Sequence, residues 1–131
     1  PARFMQPEMS FERGYCRPEC VKCSEVCPTG AILKITPEEK TTWKVGTAAV
    51  DYDLCIVAKS EVEECGNCAR HCPVGAIKMV RKDPDETAEH PVRIPTVNEA
   101  KCIGCGACEN LCPARPISAI TVSGCEVHHT V

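Results

Sequence analysis

The chain has 131 residues, of which only 4% are aromatic, so it contains little material for a conventional hydrophobic core. Its formal net charge is −3, and acidic side chains offset its short basic stretches, which argues against nucleic acid as a partner. No apolar run reaches the ~18 residues that a membrane-spanning helix needs, so no membrane span is expected in this chain.

The N-terminus does not have the basic, apolar and small-residue order of a signal peptide, and the chain starts at Pro1 rather than at methionine. These features leave the compartment open. They are compatible with a cytoplasmic protein, and also with an exported or membrane-associated one from which a signal or a membrane segment has been removed.

Cysteine is the unusual component of the composition, with thirteen residues in the chain. This density is typical of a disulfide scaffold when a chain is short and secreted. The count is odd, however, and the cysteines are crowded so closely that local bridges would be strained. The pattern therefore favours metal binding, which would also tie distant segments of a small core together.

The same cysteine cassette occurs three times, and each copy ends in Cys-Pro followed by an apolar step. The first copy has three residues between its first two cysteines, and the second has nine. The third has the regular spacing of bacterial ferredoxins. The cassettes consist of Cys16, Cys20, Cys23 and Cys27; Cys55, Cys65, Cys68 and Cys72; and Cys102, Cys105, Cys108 and Cys112.

The segments around the cassettes predict short strands and short helices. In chain order, strands are expected at 48–50, 77–79, 94–97 and 120–122, and helical turns at 66–72 and 106–112. Residues 36–47 and 81–93 are rich in Thr, Lys, Asp, Glu and Pro, and we expect them to be exposed loops. Residues 8–15 do not have a strand pattern. His128 and His129 are expected in a frayed tail.

Three cysteines at two-residue spacing can wrap three corners of a [4Fe–4S] cube, and the small residues between them let the backbone approach inorganic sulfide. Tetrahedral zinc also uses Cys-x2-Cys, but it usually takes two separated pairs. No catalytic residue is predicted. Nucleophilic catalysis by a cysteine would need a histidine partner. We interpret His71, which is adjacent to Cys72, as a local or surface residue, and His90 has no partner evident in the sequence.

The third cassette, CIGCGAC at residues 102–108 followed by Cys112-Pro113, resembles a bacterial dicluster ferredoxin. Residues 15–24 (YCRPECVKCS) and 64–73 (ECGNCARHCP) resemble polyferredoxins of the periplasmic nitrate reductase and methylamine dehydrogenase systems. Such proteins generally have four cassettes and relay electrons from a membrane quinol-oxidising protein to a redox partner. With three cassettes, the chain resembles the C-terminal portion of such a protein.

The resemblance implies an α+β fold with a dicluster ferredoxin-like core. We expect this core at residues 46–124, built from two pseudo-symmetric halves, with residues 1–45 as an appended cluster-binding segment and 125–131 as a tail. Cys125 is expected to be a spare cysteine. A competing arrangement pairs the first and second cassettes and leaves the third to Cys125 or to an absent partner.

The dicluster pattern also implies crossed ligands, in which each Cys-Pro cysteine serves the cluster of the other cassette. The expected cofactors are two or three [4Fe–4S] clusters. Their ligand sets are Cys55, Cys65, Cys68 and Cys112 for cluster A; Cys102, Cys105, Cys108 and Cys72 for cluster B; and Cys16, Cys20, Cys23 and Cys27 for a third cluster.

These ligand sets predict an electron carrier that relays single electrons between redox protein partners, among which the resemblance includes a membrane quinol-oxidising subunit. Two alternatives belong to other classes. A cluster-dependent enzyme would need an open iron and a substrate pocket, whereas complete cassettes supply a fourth ligand. A structural zinc or interaction module would lack the visible absorption of an iron–sulfur protein.

Overall fold

The computed structural model describes residues 8–60, 64–84, 87 and 89–131. It contains five short helices and four strands within these residues. In chain order they are α1 (Lys22–Val26), α2 (Pro37–Lys40), β1 (Trp43–Val50), α3 (Ile56–Ser60), α4 (Asn67–Arg70), β2 (Ile77–Arg81), β3 (Arg93–Val97), α5 (Ala107–Asn110) and β4 (Ile120–Thr130). This α+β composition agrees with the expected fold class.

The strands form two antiparallel two-stranded sheets. In the first, β1 pairs with β4, from Val50 opposite Ile120 to Trp43 opposite Thr130, with an irregularity between Lys44 and Gly46. In the second, β2 pairs with β3. The strands predicted at 48–50, 77–79, 94–97 and 120–122 are therefore confirmed, as are the helical turns after Gly66 and Gly106.

The prediction that residues 36–47 form an exposed loop is wrong. Thr36 and Glu39 form a reciprocal capping box that starts α2, with Pro37 at the first helical position. From Trp43 onward β1 alternates between partly and fully buried residues, as a half-buried strand does. Local capping and strand pairing thus outweigh the polar composition of this segment. Within 82–92, the described residues contain no helix or strand, as expected.

The prediction of a frayed C-terminal tail is also wrong. β4 continues to Thr130, and His129 lies opposite Lys44 of β1. Pairing with a distant strand satisfies backbone groups that would otherwise face water. The β1–β4 sheet contains residues on both sides of the two expected domain boundaries. The division at residues 45 and 124 stays a prediction.

The core consists of small apolar residues packed around cysteines rather than of aromatic rings. Ala48, Ala76, Ala119 and Ile120 are almost fully buried. They lie in one cluster with Cys55, Cys102, Cys108 and Cys112. Both two-stranded sheets contribute to this cluster, so the fold gathers the second and third cassettes at its centre. Within the described part of the chain, none of the helices has the length and apolar character needed to cross a bilayer.

Candidate metal centres

Four cysteines from two cassettes surround the first of two cavities in the core. The cavity has an empty volume of about 400 Å³, which includes space open to solvent. Its walls are otherwise almost entirely apolar, with Val57, Met79 and Ile120 among them. The cysteines that line it are Cys55, Cys65, Cys68 and Cys112.

The second cavity repeats this arrangement with the cassettes exchanged. Its empty volume is about 300 Å³, and Val74, Ile77 and Val122 form part of its wall. The cysteines that line it are Cys72, Cys102, Cys105 and Cys108. Each cavity thus receives three cysteines from one cassette and the last cysteine of the other.

The short helices explain how the last cysteines reach the opposite cavity. Both α4 and α5 follow a left-handed glycine, Gly66 with φ 64° and Gly106 with φ 79°, a conformation that favours glycine. Each helix completes about one turn and ends before its Cys-Pro, which carries the last cysteine away from its own triplet. The side chain of Asn67 in α4 donates to the carbonyl of Leu111 after α5 at 3.4 Å, which links the two helices.

Backbone N–H groups also point at cysteine sulfur in the second cavity. The N–H of Ala48 donates to Sγ of Cys102 at 3.4 Å, and the N–H of Ala76 donates to Sγ of Cys72 at 3.2 Å. Such bonds stabilise a thiolate relative to a thiol and raise the reduction potential of an iron–sulfur group bound there. A residue within β1 and the residue just before β2 therefore contribute backbone hydrogen bonds to the site.

The buried thiols hold their protons tightly in this structure. Burial raises the pKa of Cys68 to about 11, and neighbouring Cys65, Cys55 and Cys112 add to the increase. Burial likewise raises the pKa of Cys108 to about 12, and that of Cys105. Thiolate ligands must lose these protons, so binding of a cationic metal group would release them and offset the cost of burying charge.

The shape of the two sites fits a polynuclear group. In the described part of the chain, no three His, Cys, Asp or Glu side chains lie close enough together to hold one metal ion. Instead, four thiols line each cavity. Four thiolates facing a common space are the donor set that a [4Fe–4S] cube requires, since each iron takes one cysteine.

The first cassette is more exposed than the other two. Cys23 in α1 is exposed, whereas Cys16, Cys20 and Cys27 are half-buried. The pKa of Cys27 is lowered to about 7, because the backbone N–H of Ile32 and then the hydroxyl of Thr29 donate to its sulfur. None of these four cysteines lines either cavity. Their common ligation therefore stays a prediction.

The segment before the first cassette is attached to the third cassette. Phe11 is buried, and its ring covers Gly106 so closely that a Cβ there would overlap it. The side chain of Asn110 in α5 donates to the carbonyl of Phe11 at 2.7 Å. Further along the same segment, the N–H of Cys16 donates to the carbonyl of Cys105 at 2.8 Å. Sequence reasoning missed Phe11 and Asn110, since no local pattern connects them.

Cys125 lies in β4, half-buried, and lines neither cavity. Its expected role as a spare cysteine stays a prediction.

Comparison with known proteins agrees with this geometry. Residues 62–115 match the family model of the 4Fe-4S dicluster domain. The chain carries a dicluster ferredoxin-type domain. The cofactors of this domain are two [4Fe–4S] clusters. The matched segment contains seven of the eight cysteines around the two cavities, and Cys55 lies before it.

Two relatives are similar to this chain over a longer stretch than the domain match covers. The chain is 33% identical over 92 residues to the methylamine utilization ferredoxin-type protein MauM of Paracoccus denitrificans, covering 70% of this chain and 40% of MauM. It is 30% identical over 116 residues to the ferredoxin-type protein NapG of Escherichia coli, covering 85% of this chain and 50% of NapG. The chain therefore spans half the length of these relatives or less. The dicluster domain and the relatives together support iron–sulfur electron transfer.

Proposed function

We propose that the chain relays single electrons between redox proteins through two [4Fe–4S] clusters with crossed ligands and a third cluster held by the first cassette. The observation that carries this proposal is the lining of the two cavities. Each combines a triplet from one cassette with the Cys-Pro cysteine of the other. This is the ligand exchange of two-cluster ferredoxins.

The complete cysteine sets favour an electron carrier over an enzyme. Iron–sulfur cubes with four thiolate ligands supply one-electron transfer. The residues of this chain would hold each group rigidly, with Cys55 and Cys112 on the first and Cys102 and Cys108 on the second almost fully buried. The walls of both cavities are almost entirely apolar and offer few polar groups that could orient a substrate.

The proposal places the third cluster next to cluster B. Cys16 belongs to the first cassette, and its N–H bonds to the carbonyl of Cys105. Phe11 and Asn110 hold the intervening segment against α5. An electron path through the chain would therefore run from the first cassette to cluster B and on to cluster A, or in the opposite direction.

The partners proposed are redox proteins at the two ends of this path. The relatives are ferredoxin-type proteins, and one is named for methylamine utilization. Because the chain spans half their length or less, we propose that it works as part of a larger electron-transfer assembly. A membrane quinol-oxidising donor remains the prediction that the family resemblance makes.

Anaerobic reconstitution with iron and sulfide tests the proposal. Two cubes require about eight iron and eight sulfide per chain, and three require about twelve of each. We expect about twelve, with broad absorption near 400 nm that dithionite bleaches. The matched control replaces Cys16, Cys20, Cys23 and Cys27 with serine, which should lower iron to about eight. Failure of the chain to take up iron and sulfide would contradict the electron-transfer proposal. A three-iron signal in the intact protein would favour the enzyme alternative.

A further inference from the structure

Lys44 in β1 is buried, and its side chain hydrogen-bonds to a backbone carbonyl rather than to a carboxylate. Only 8% of the surface of Lys44 is exposed. Its Nζ donates to the backbone carbonyl of Glu99. A neutral carbonyl satisfies one N–H donor but brings no negative charge. Burying an ammonium costs free energy unless an anion compensates it. The structure thus raises the question of which group supplies the negative charge.

The position of Lys44 points to the second cavity. Lys44, Gly46 and Ala48 are the buried members of the alternating strand β1. Two of these positions contact the third cassette: Gly46 packs against the backbone of Gly104, and the N–H of Ala48 donates to Sγ of Cys102.

The neighbouring backbone continues this contact, because the N–H of Val45 donates to the carbonyl of Ile103 at 2.9 Å. Ile103 and Gly104 line the second cavity. Glu99, the partner of Lys44, lies three residues before Cys102 in the turn that leads into the cassette. The ammonium is therefore attached to the loop that carries the ligands of cluster B.

An anionic group bound in that cavity would supply the compensation. A cube with four thiolate ligands has a charge of roughly −2 when oxidised and −3 when reduced. In the interior, a cation is screened far less than on the surface, so its field reaches the neighbouring site. The field favours the more negative, reduced form. Lys101 is adjacent to Cys102 in sequence but exposed, so water screens its charge.

We propose that Lys44 is the charge-compensating residue of cluster B, the group held by Cys102, Cys105, Cys108 and Cys72, and that its buried ammonium raises the reduction potential of this cluster. Lys44 does not touch the ligands. It acts through the turn at Glu99 and through its field. This inference rests on the proposed function, since it requires a cluster in the second cavity. It predicts a difference in reduction potential between two sites that are otherwise pseudo-symmetric.

An anaerobic redox titration of the reconstituted full chain, followed by electron paramagnetic resonance, tests the inference. The midpoint of cluster B is identified by its change in Cys105→Ser. Lys44→Gln keeps an N–H donor for Glu99 but removes the charge. It should shift the midpoint of cluster B to a more negative potential and leave that of cluster A unchanged. Lys44→Arg should restore the wild-type midpoint. The control Lys101→Gln should give a much smaller shift.

An unchanged cluster B midpoint in Lys44→Gln, at full loading, would overturn the inference while leaving the proposed function intact. Equal shifts of both clusters would also overturn it, because they would indicate a general change of structure. If Lys44→Gln does not load cluster B, Lys44→Arg decides. Loading of the arginine variant supports a requirement for charge, and its failure assigns Lys44 a purely structural role. Absence of clusters from the wild-type chain would instead contradict the proposed function.

Discussion

The backbone N–H of Cys16 donates to the carbonyl of Cys105 at 2.8 Å, which joins the first cassette to the third across most of the chain. Cys105 lines the second cavity, and Cys16 begins the cassette that lies outside both cavities. The bond therefore connects the peripheral cassette to one of the two central sites. The second cavity, rather than the first, is therefore the neighbour of the first cassette.

Asn110→Ala should loosen this connection. Asn110 donates to the carbonyl of Phe11 at 2.7 Å, and loss of one hydrogen bond costs about 0.5–1.5 kcal/mol. We expect the amide of Cys16 to exchange its hydrogen roughly 2–10-fold faster, measured by hydrogen–deuterium exchange. Asn67→Ala is the matched control, because Asn67 bonds to Leu111 and not to the N-terminal segment. Equally faster exchange of the Cys16 amide in both variants would mean that the hydrogen bond of Asn110 does not specifically hold the N-terminal segment.

Gly106→Ala should destabilise the protein more than Gly75→Ala. Both glycines have positive φ, 79° and 61°, so alanine costs about 1–2 kcal/mol of backbone strain at either position. A Cβ at Gly106 also overlaps the ring of Phe11, whereas one at Gly75 meets nothing within 4 Å. The overlap adds about 1–3 kcal/mol. Urea unfolding of cluster-loaded protein under anaerobic conditions measures the difference. Similar midpoints for the two variants would mean that Phe11 does not pack on Gly106 in solution.

Cys125→Ser should leave the iron content unchanged. Cys125 lies in β4 and lines neither cavity, so a hydroxyl there removes no ligand from either site. Iron and sulfide counts after anaerobic reconstitution are the measurement. A loss of about four iron atoms per chain would make Cys125 a ligand, which would favour the competing arrangement.

The sequence predicts the second and third cassettes well because their signals are local. Few helix breakers and the proline after the last cysteine place α4 and α5, and short strand-like segments on both sides of the cassettes place the strands. The capping box of Thr36 and Glu39 was also local, but the polar composition of 36–47 obscured it.

Features that depend on distant contacts could not be predicted in the same way. β4 extends to Thr130 because β1 lies beside it, and nothing in residues 125–131 indicates that their partners are Trp43 and Lys44, far earlier in the chain. Phe11 and Asn110 are 99 residues apart. Lys44 resembles any surface lysine in sequence, and only the packing of β1 against the third cassette buries it. Such contacts form only when distant segments of the chain fold together, so no local sequence pattern indicates them.

The crossed ligand sets are the central claim, and the pair of variants Cys112→Ala and Cys72→Ala tests them most directly. Cys112 lines the cavity of Cys55, Cys65 and Cys68, and Cys72 lines that of Cys102, Cys105 and Cys108. Each variant removes one thiolate from the cluster bound mainly by the other cassette. Since each cluster joins both halves, each variant should also destabilise the domain.

Electron paramagnetic resonance of the two reconstituted variants, with the cluster B signal identified through Cys105→Ser, is the deciding measurement. The account predicts that Cys112→Ala converts cluster A to a three-iron form or loses it, while the signal of cluster B persists, and that Cys72→Ala does the reverse. Damage to cluster B in Cys112→Ala, with cluster A intact, would contradict the account and mean that each cassette closes on its own cluster.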